Sequence, residues 1–330
     1  MSTLRALFAF LGMKFGAMLE RVSPGGKMRI VAVLLLVLIF GWGGAMLATH
    51  RIDDAPDFQG DAESMRQGAA QGSRAVAIAA ALIEREVDRH RWVANEPFFM
   101  PGHYLDNMPN FQQGIIYALA RFTVILGDQL GRARGSSQID SDLDQAAGLL
   151  KYPGDVWIFN PQASLLPTAS SEAQYRAARR SLLSYNQRLA EGRAVFDPRA
   201  DNLIVALDSI AADLGSQSAI IENYLQERRF WLTEWHSDDI FYATKGRVYA
   251  YYLLLRALEK DFAQIIGERG IANVWGHMLL SLRETVLLQP LVVVSAAPDS
   301  QFLPSHLASQ GFYLLRARTN LRELTNILTK

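Results

Sequence analysis

The chain has 330 residues, carries 33 basic and 33 acidic side chains, and contains no cysteine. The balanced charge excludes the basic excess of a dedicated nucleic-acid binder and the acidic excess of a disordered chain. Without cysteine there is no disulfide framework, thiol catalysis, cysteine-held zinc or iron–sulfur cluster.

Residues 1–28 form a basic tail. Leu4, Leu7, Phe8, Leu11, Phe15, Met18, Leu19 and Val22 recur at helical spacing among Arg5, Lys14 and Arg21. This pattern fits an amphipathic helix on the inner leaflet, or else a loosely ordered basic tail. Ser23-Pro24-Gly25-Gly26 separates it from the next segment. Ile30–Ala48 carries no charge, and with Thr49 and His50 it spans about 30 Å as a helix, the thickness of a bilayer core. The sequence therefore predicts a transmembrane helix over 29–50. Arg5, Lys14, Arg21, Lys27 and Arg29 precede it, and Asp53, Asp54, Asp57, Asp61 and Glu63 follow. The positive-inside rule then places the N-terminus in the cytoplasm and the main domain in the periplasm, across the bacterial inner membrane. A cleaved signal peptide is the rival, with Gly43 and Ala45 near a cleavage site. The long basic region and long apolar run favour an uncleaved anchor. Gly41/Ala45 and Gly44/Ala48 are small-residue pairs of a kind that lets helix backbones approach.

Residues 51–72, acidic and then rich in Gly, Ala, Gln and Ser, are expected to be a linker. Beyond them the pattern is helical throughout. Helices are predicted over 73–95, from Pro109-Asn110 to about Leu130, and over 139–151. Residues 152–170 hold Pro153, Gly154, Pro161 and Pro167 around Trp157 and Phe159, and are expected to be irregular and to mark a subdomain junction. Ser171 with Gln174 resembles a capping box opening a helix to about Gly192. Arg199–Trp231 is a long helix with a break expected near Gly215-Ser216. Ser237-Asp238-Asp239 caps a helix continuing to about Glu268, followed by helices over 272–287 and 305–328. Leu291–Ser295 is the one strand-like run. The fold class is all-α: one N-terminal transmembrane helix and, over 73–330, a multi-helix antiparallel bundle.

Gly102–Gly114 (GHYLDNMPNFQQG), Asp238–Phe262 (DDIFYATKGRVYAYYLLLRALEKDF), Ala200–Leu203 and the closing ARTNLRELTNIL resemble a bacterial family of single-pass membrane proteins called domain of unknown function 2333. The resemblance implies topology and helical class, and carries no activity.

Patterns of chemistry are sparse. His50, His90, His103, His236, His277 and His306 form no His-xxx-His or HExxH pair. His103/Asp106 and His236/Asp238/Asp239 are better explained as surface histidines and helix caps than as metal ligands. Asp140, Asp142 and Asp144 begin like a calcium loop, but Gln145 and Lys151 occupy the positions that need glycine and glutamate. Gly25-Gly26-Lys27 is no P-loop, and no GxSxG elbow occurs. No catalytic, metal or cofactor residue is assigned. Two surfaces remain. Glu96 and Asp106 flank Phe98, Phe99 and Tyr104 in a loop that could receive a glycan. Its plainer reading makes the two phenylalanines core anchors and Asp106 a turn cap. Trp231, Trp235, Tyr242, Tyr249 and Arg256 are the residue types of interface hot spots. The expected function is a membrane-anchored, non-catalytic scaffold or accessory subunit. It would contact the bilayer through Ile30–Ala48 and bind another envelope protein or a second copy of itself, and no nucleic acid. The alternative is a peptidoglycan-binding or peptidoglycan-cleaving protein using the Glu96–Asp106 loop.

Overall fold

The apolar run Ile30–Ala48 sits inside a single 26-residue helix, α1 (Pro24–Thr49), in the computed structural model of the protein. The structure describes residues 23–49, 51–59, 72–131, 139–159, 166–226, 236–296, 300–301 and 303–330. The amphipathic pattern of Leu4–Val22 falls outside these. Ser23 Oγ accepts from Gly26 N–H at 3.3 Å, and Pro24 takes the first helical position, where its missing N–H costs nothing. Gly25 and Gly26 therefore belong to the helix, and only Ser23 stands outside it. α1 is long and apolar enough to cross a membrane.

Thr49–Lys330 forms one compact unit. Its helices are α2 (Arg74–Glu84), α3 (Asn107–Ile125), α4 (Ser141–Leu150), α5 (Ser171–Ala190), α6 (Ala200–Gln226), α7 (Ser237–Asp261), α8 (Ala263–Glu268), α9 (Ala272–Val286) and α10 (His306–Leu328). π-Helical turns extend α2 over Arg85–Arg89 and α3 over Leu126–Leu130. α6 is also long and apolar enough to cross a membrane, but its Leu203, Leu207, Ile210 and Leu214 face the core.

Apart from the short α8, successive helices run up and down. Ser73 meets Asp261 at one end of α2, and Arg85 meets Tyr249 near the other. α3 begins beside the start of α7, where Asn110 Nδ2 donates to Asp239 at 2.5 Å, so these two run parallel. Their contact is unusually close. A Cβ on Gly114 would lie 2.2 Å from the Ala243 carbonyl oxygen, and one on Gly246 would lie 2.1 Å from that of Phe111. Only glycine allows this backbone-to-backbone packing. Phe111, Phe122, Tyr175, Tyr185, Phe241, Tyr249, Tyr251 and Trp275 fill the core around it.

Several boundaries differ from expectation. α6 passes through Gly215-Ser216 unbroken, with the flexible Arg318 guanidinium lying across Gly215. The helix expected to reach Glu268 breaks at Phe262, because the Asp261 carboxylate caps α2 by accepting from Ser73 Oγ, Arg74 N and Ala75 N. Ser170, not Ser171, caps α5; Ser171 Oγ instead donates to the Pro153 carbonyl at 2.7 Å. Leu291–Ser295 is not a strand. Ser295 forms one isolated antiparallel bridge to Ser305, with Leu291 and Val292 fully or largely exposed. An apolar run needs a partner strand to become a sheet, and no strand occurs among the described residues. No boundary divides the unit at 152–170. That segment docks on the loop after α2, where Trp92 Nε1 donates to Gly154 O at 2.7 Å and Asn95 Nδ2 to Val156 O at 2.9 Å.

Candidate functional site

Residues 51–59, within the expected 51–72 linker, form a strap packed along α2 and α7. Ile52 and Phe58 lie against the core. Arg256 of α7 donates to the carbonyls of Pro56 at 2.5 Å and Phe58 at 2.6 Å. The Tyr249 hydroxyl donates to Ala55 O at 3.0 Å and accepts from Arg85 at 2.6 Å. Lys245, fully buried, pairs with Asp54 at 2.6 Å and donates to Leu288 O at 2.6 Å. Burial holds the Lys245 ammonium below its ordinary pKa, with Asp54 opposing the shift. Arg85 lies over the Phe58 ring and binds Glu86. Burial disfavours the Glu86 charge, but Arg85 and His90 outweigh it and hold the carboxyl below its usual range.

Two hot-spot residues expected to meet a partner therefore meet the chain's own strap. Tyr249 is fully buried, and Arg256 has its guanidinium engaged by two carbonyls. Tyr242 is half-buried beside Phe241, at a ring distance of 5.2 Å. Trp231 and Trp235 lie outside the described residues.

The Glu96–Asp106 loop is held by its own internal contacts. The Glu96 side chain is buried, accepts from Gly102 N–H at 2.8 Å and faces Arg91 at 3.1 Å. It ties the loop to itself. Arg91 adopts a left-handed φ of 65°, and the buried Gln112 amide bridges that reversal by accepting from Val93 N and donating to Glu86 O and Arg91 O. Phe98, Phe99 and Tyr104 are exposed, so the phenylalanines are not core anchors. His103 bonds Glu96 O at 2.8 Å. Asp106 leaves that loop's chemistry and joins Asp238 and Asp239, their carboxylate oxygens within 4.8 Å of one another. Burial first, and Asp106 second, raise both α7 carboxyls above the ordinary range. Two helix N-termini supply the favourable field that tolerates this crowding.

A cleft of about 540 Å³ opens between α3, the α4–α5 connection and α7. Arg121, Lys151 and Arg247 line it with Tyr117, Tyr152 and Gln113, and none of its lining residues carries a carboxylate. The Arg247 guanidinium lies 3.5 Å over the Tyr117 ring and 3.5 Å from Asp213, which also accepts from Tyr251 at 2.8 Å. Arg247 Nε is buried without a hydrogen-bond partner among the described residues. Arg121 and Lys151 are exposed, with no acidic group at ion-pair distance among the described residues. Such a surface favours an anionic group laid against cations and tyrosine edges. The sequence places Tyr117 and Arg121 one turn apart, a signal too common to single out. Arg247 joins them only through the close α3–α7 crossing.

The chain matches the model of the family described as an uncharacterized protein conserved in bacteria, domain of unknown function 2333, over residues 20–230 and 221–330. No curated protein and no solved structure matches it.

Proposed function

We propose that this chain, which belongs to the bacterial domain of unknown function 2333 family, is a membrane-anchored, non-catalytic binding protein of the cell envelope. In this reading α1 is an uncleaved inner-membrane anchor with its N-terminus in the cytoplasm, and the helical domain lies in the periplasm. The length of α1 and the basic-before, acidic-after flanks support that orientation. Protease added to spheroplasts should digest the domain; protection of the domain would reverse the topology.

The observation that carries the binding role is the Arg121–Arg247 cleft, with three cations and no carboxylate in its lining. It receives a carboxylate- or phosphate-bearing group of another envelope component. A photoreactive residue at Gln113, in the full chain in intact cells, should form an adduct with an envelope protein or a second copy. Arg121→Glu should abolish the adduct without unfolding the domain, because Arg121 is exposed and has no acidic group at ion-pair distance among the described residues. No adduct, or one indifferent to Arg121→Glu, would sink the proposal. Parallel incubation with purified sacculi tests the competing glycan role. Released fragments that disappear in Glu96→Gln and Asp106→Asn would favour it.

A further inference from the structure

We propose that the end of the helical domain where the strap begins rests on the bilayer surface, with Phe98, Phe99, Ile158, Phe159, Leu291 and Val292 inserted into the interfacial layer. The inference rests on the anchor reading above and adds the orientation and contact surface of the domain.

The up-and-down order of the helices gathers the described connections 90–106, 151–159, 166–170 and 287–296 at one end. Exposed large apolar side chains gather there too. Phe98 is 69% exposed, Phe159 55%, Val292 71% and Leu291 fully so. They are arranged in advance: Phe98, Phe99, Trp157 and Phe159 form a chain of edge-to-face rings at 5.5, 5.8 and 5.5 Å. In the described connections of the opposite end, 191–199 and 262–271, Val195 is the one large apolar side chain of comparable exposure. Outside the connections, Phe312 and Leu315 of α10 are the other large apolar side chains more than half exposed among the described residues of the domain. A concentration of apolar exposure at one end of a domain marks a contact surface.

The strap identifies what covers it. At this same end Asp53 lies 3.6 Å from His90, and Asp54 accepts from Gln289 at 3.0 Å, two residues before Leu291. Asp53 is four residues beyond Thr49, at most roughly 14 Å of fully extended chain. A membrane helix ending at Thr49 therefore keeps this end within reach of the headgroups. Loop backbone cannot enter hydrocarbon with its polar groups unpaired, so only side chains insert, to an interfacial depth that suits aromatic rings. Asp106, Asp238 and Asp239 lie at the same end. Arg91 and Lys151 are exposed at this end as well, so acidic and basic groups offset one another and the apolar side chains carry the contact.

The chain lacks cysteine, which makes single labels straightforward. Phe98→Cys, Phe159→Cys and Val292→Cys, with Arg193→Cys and Glu268→Cys as controls at the opposite end, would carry an environment-sensitive fluorophore in the full chain. The proteins are reconstituted into phosphatidylethanolamine vesicles with varied phosphatidylglycerol. The first three labels should shift to the blue, be quenched by shallow lipid-borne quenchers, and lose iodide access several-fold relative to the controls. The effect should persist as the anionic fraction falls. Equal iodide access at all five positions overturns the inference. So does shielding from iodide without lipid quenching, which would mean that a second copy or another protein covers the patch. A chain that fails to float with vesicles overturns the anchor and this inference together; a floating chain with exposed labels overturns this inference alone.

Discussion

At the residue scale, the side chains with the greatest leverage are the buried ions that hold the strap. Removing Asp54 leaves the Lys245 ammonium buried against a single carbonyl. Asp54→Ala should destabilise the domain by about 3 kcal/mol, the cost of an uncompensated buried charge. Lys245→Met added to it should recover most of that loss, read by urea unfolding of the detergent-solubilised chain. A recovery of nothing would show that Lys245 is not the stranded group. The Asp106–Asp238–Asp239 cluster gives a pH dependence of the opposite kind to an ordinary ion pair. Asp238 and Asp239 have folded pKa values above their unfolded ones. The penalty for ionising them is therefore fully present above the folded values, and it is relieved as pH falls through them. Relative to wild type, Asp106→Asn should stabilise the domain at pH 7, and the difference should vanish on acidification towards the ordinary carboxylate range. A difference independent of pH would remove the electrostatic account. Tyr249 and Arg256 were legible as residues of an interface. That the interface lies within one chain was not, because the same residue types serve either case.

At the element scale, the α3–α7 crossing positions both the cleft and the strap groove. Gly246→Ala must push the Phe111 carbonyl away from a Cβ built 2.1 Å from it. Overpacking of this kind should cost roughly 3 kcal/mol and loosen the cleft. Gly276 of α9 has nothing within 4 Å of its Cβ position, so Gly276→Ala should stabilise by up to about 1 kcal/mol. Thermal melts of the two variants should move in opposite directions, and a shared direction would contradict the packing argument. The helices themselves were largely legible, because the 3.6-residue period and the Pro and Gly punctuation are local. Their ends were less so. Phe262 ends α7 because Asp261 turns to cap α2, 188 residues away along the chain, and no local signal announces that.

At the scale of the whole molecule, the strap over 51–59 is docked on the bundle by Arg256, Tyr249 and Lys245. Arg256→Ala removes two charge-assisted hydrogen bonds from the strap, worth at least about 1.5 kcal/mol, or roughly a tenfold rise in its opened population. Limited proteolysis should show that rise as faster cleavage within 51–59, with Arg256→Lys intermediate because it cannot serve both carbonyls equally well. Unchanged cleavage would mean that Asp54 and Tyr249 suffice to hold the strap. The sequence by itself determined the helical class, the long apolar helix and its charge asymmetry, and the absence of cysteine chemistry. Each follows from composition or from a period of a few residues. Only the tertiary structure decided that the acidic linker is a strap, that Glu96 ties its loop, that Phe98 and Phe99 face outward, and that Arg121 and Arg247 share a cleft. Those outcomes depend on which distant backbones come close enough to touch. Here the glycines of α3 and α7, 132 positions apart, set that approach.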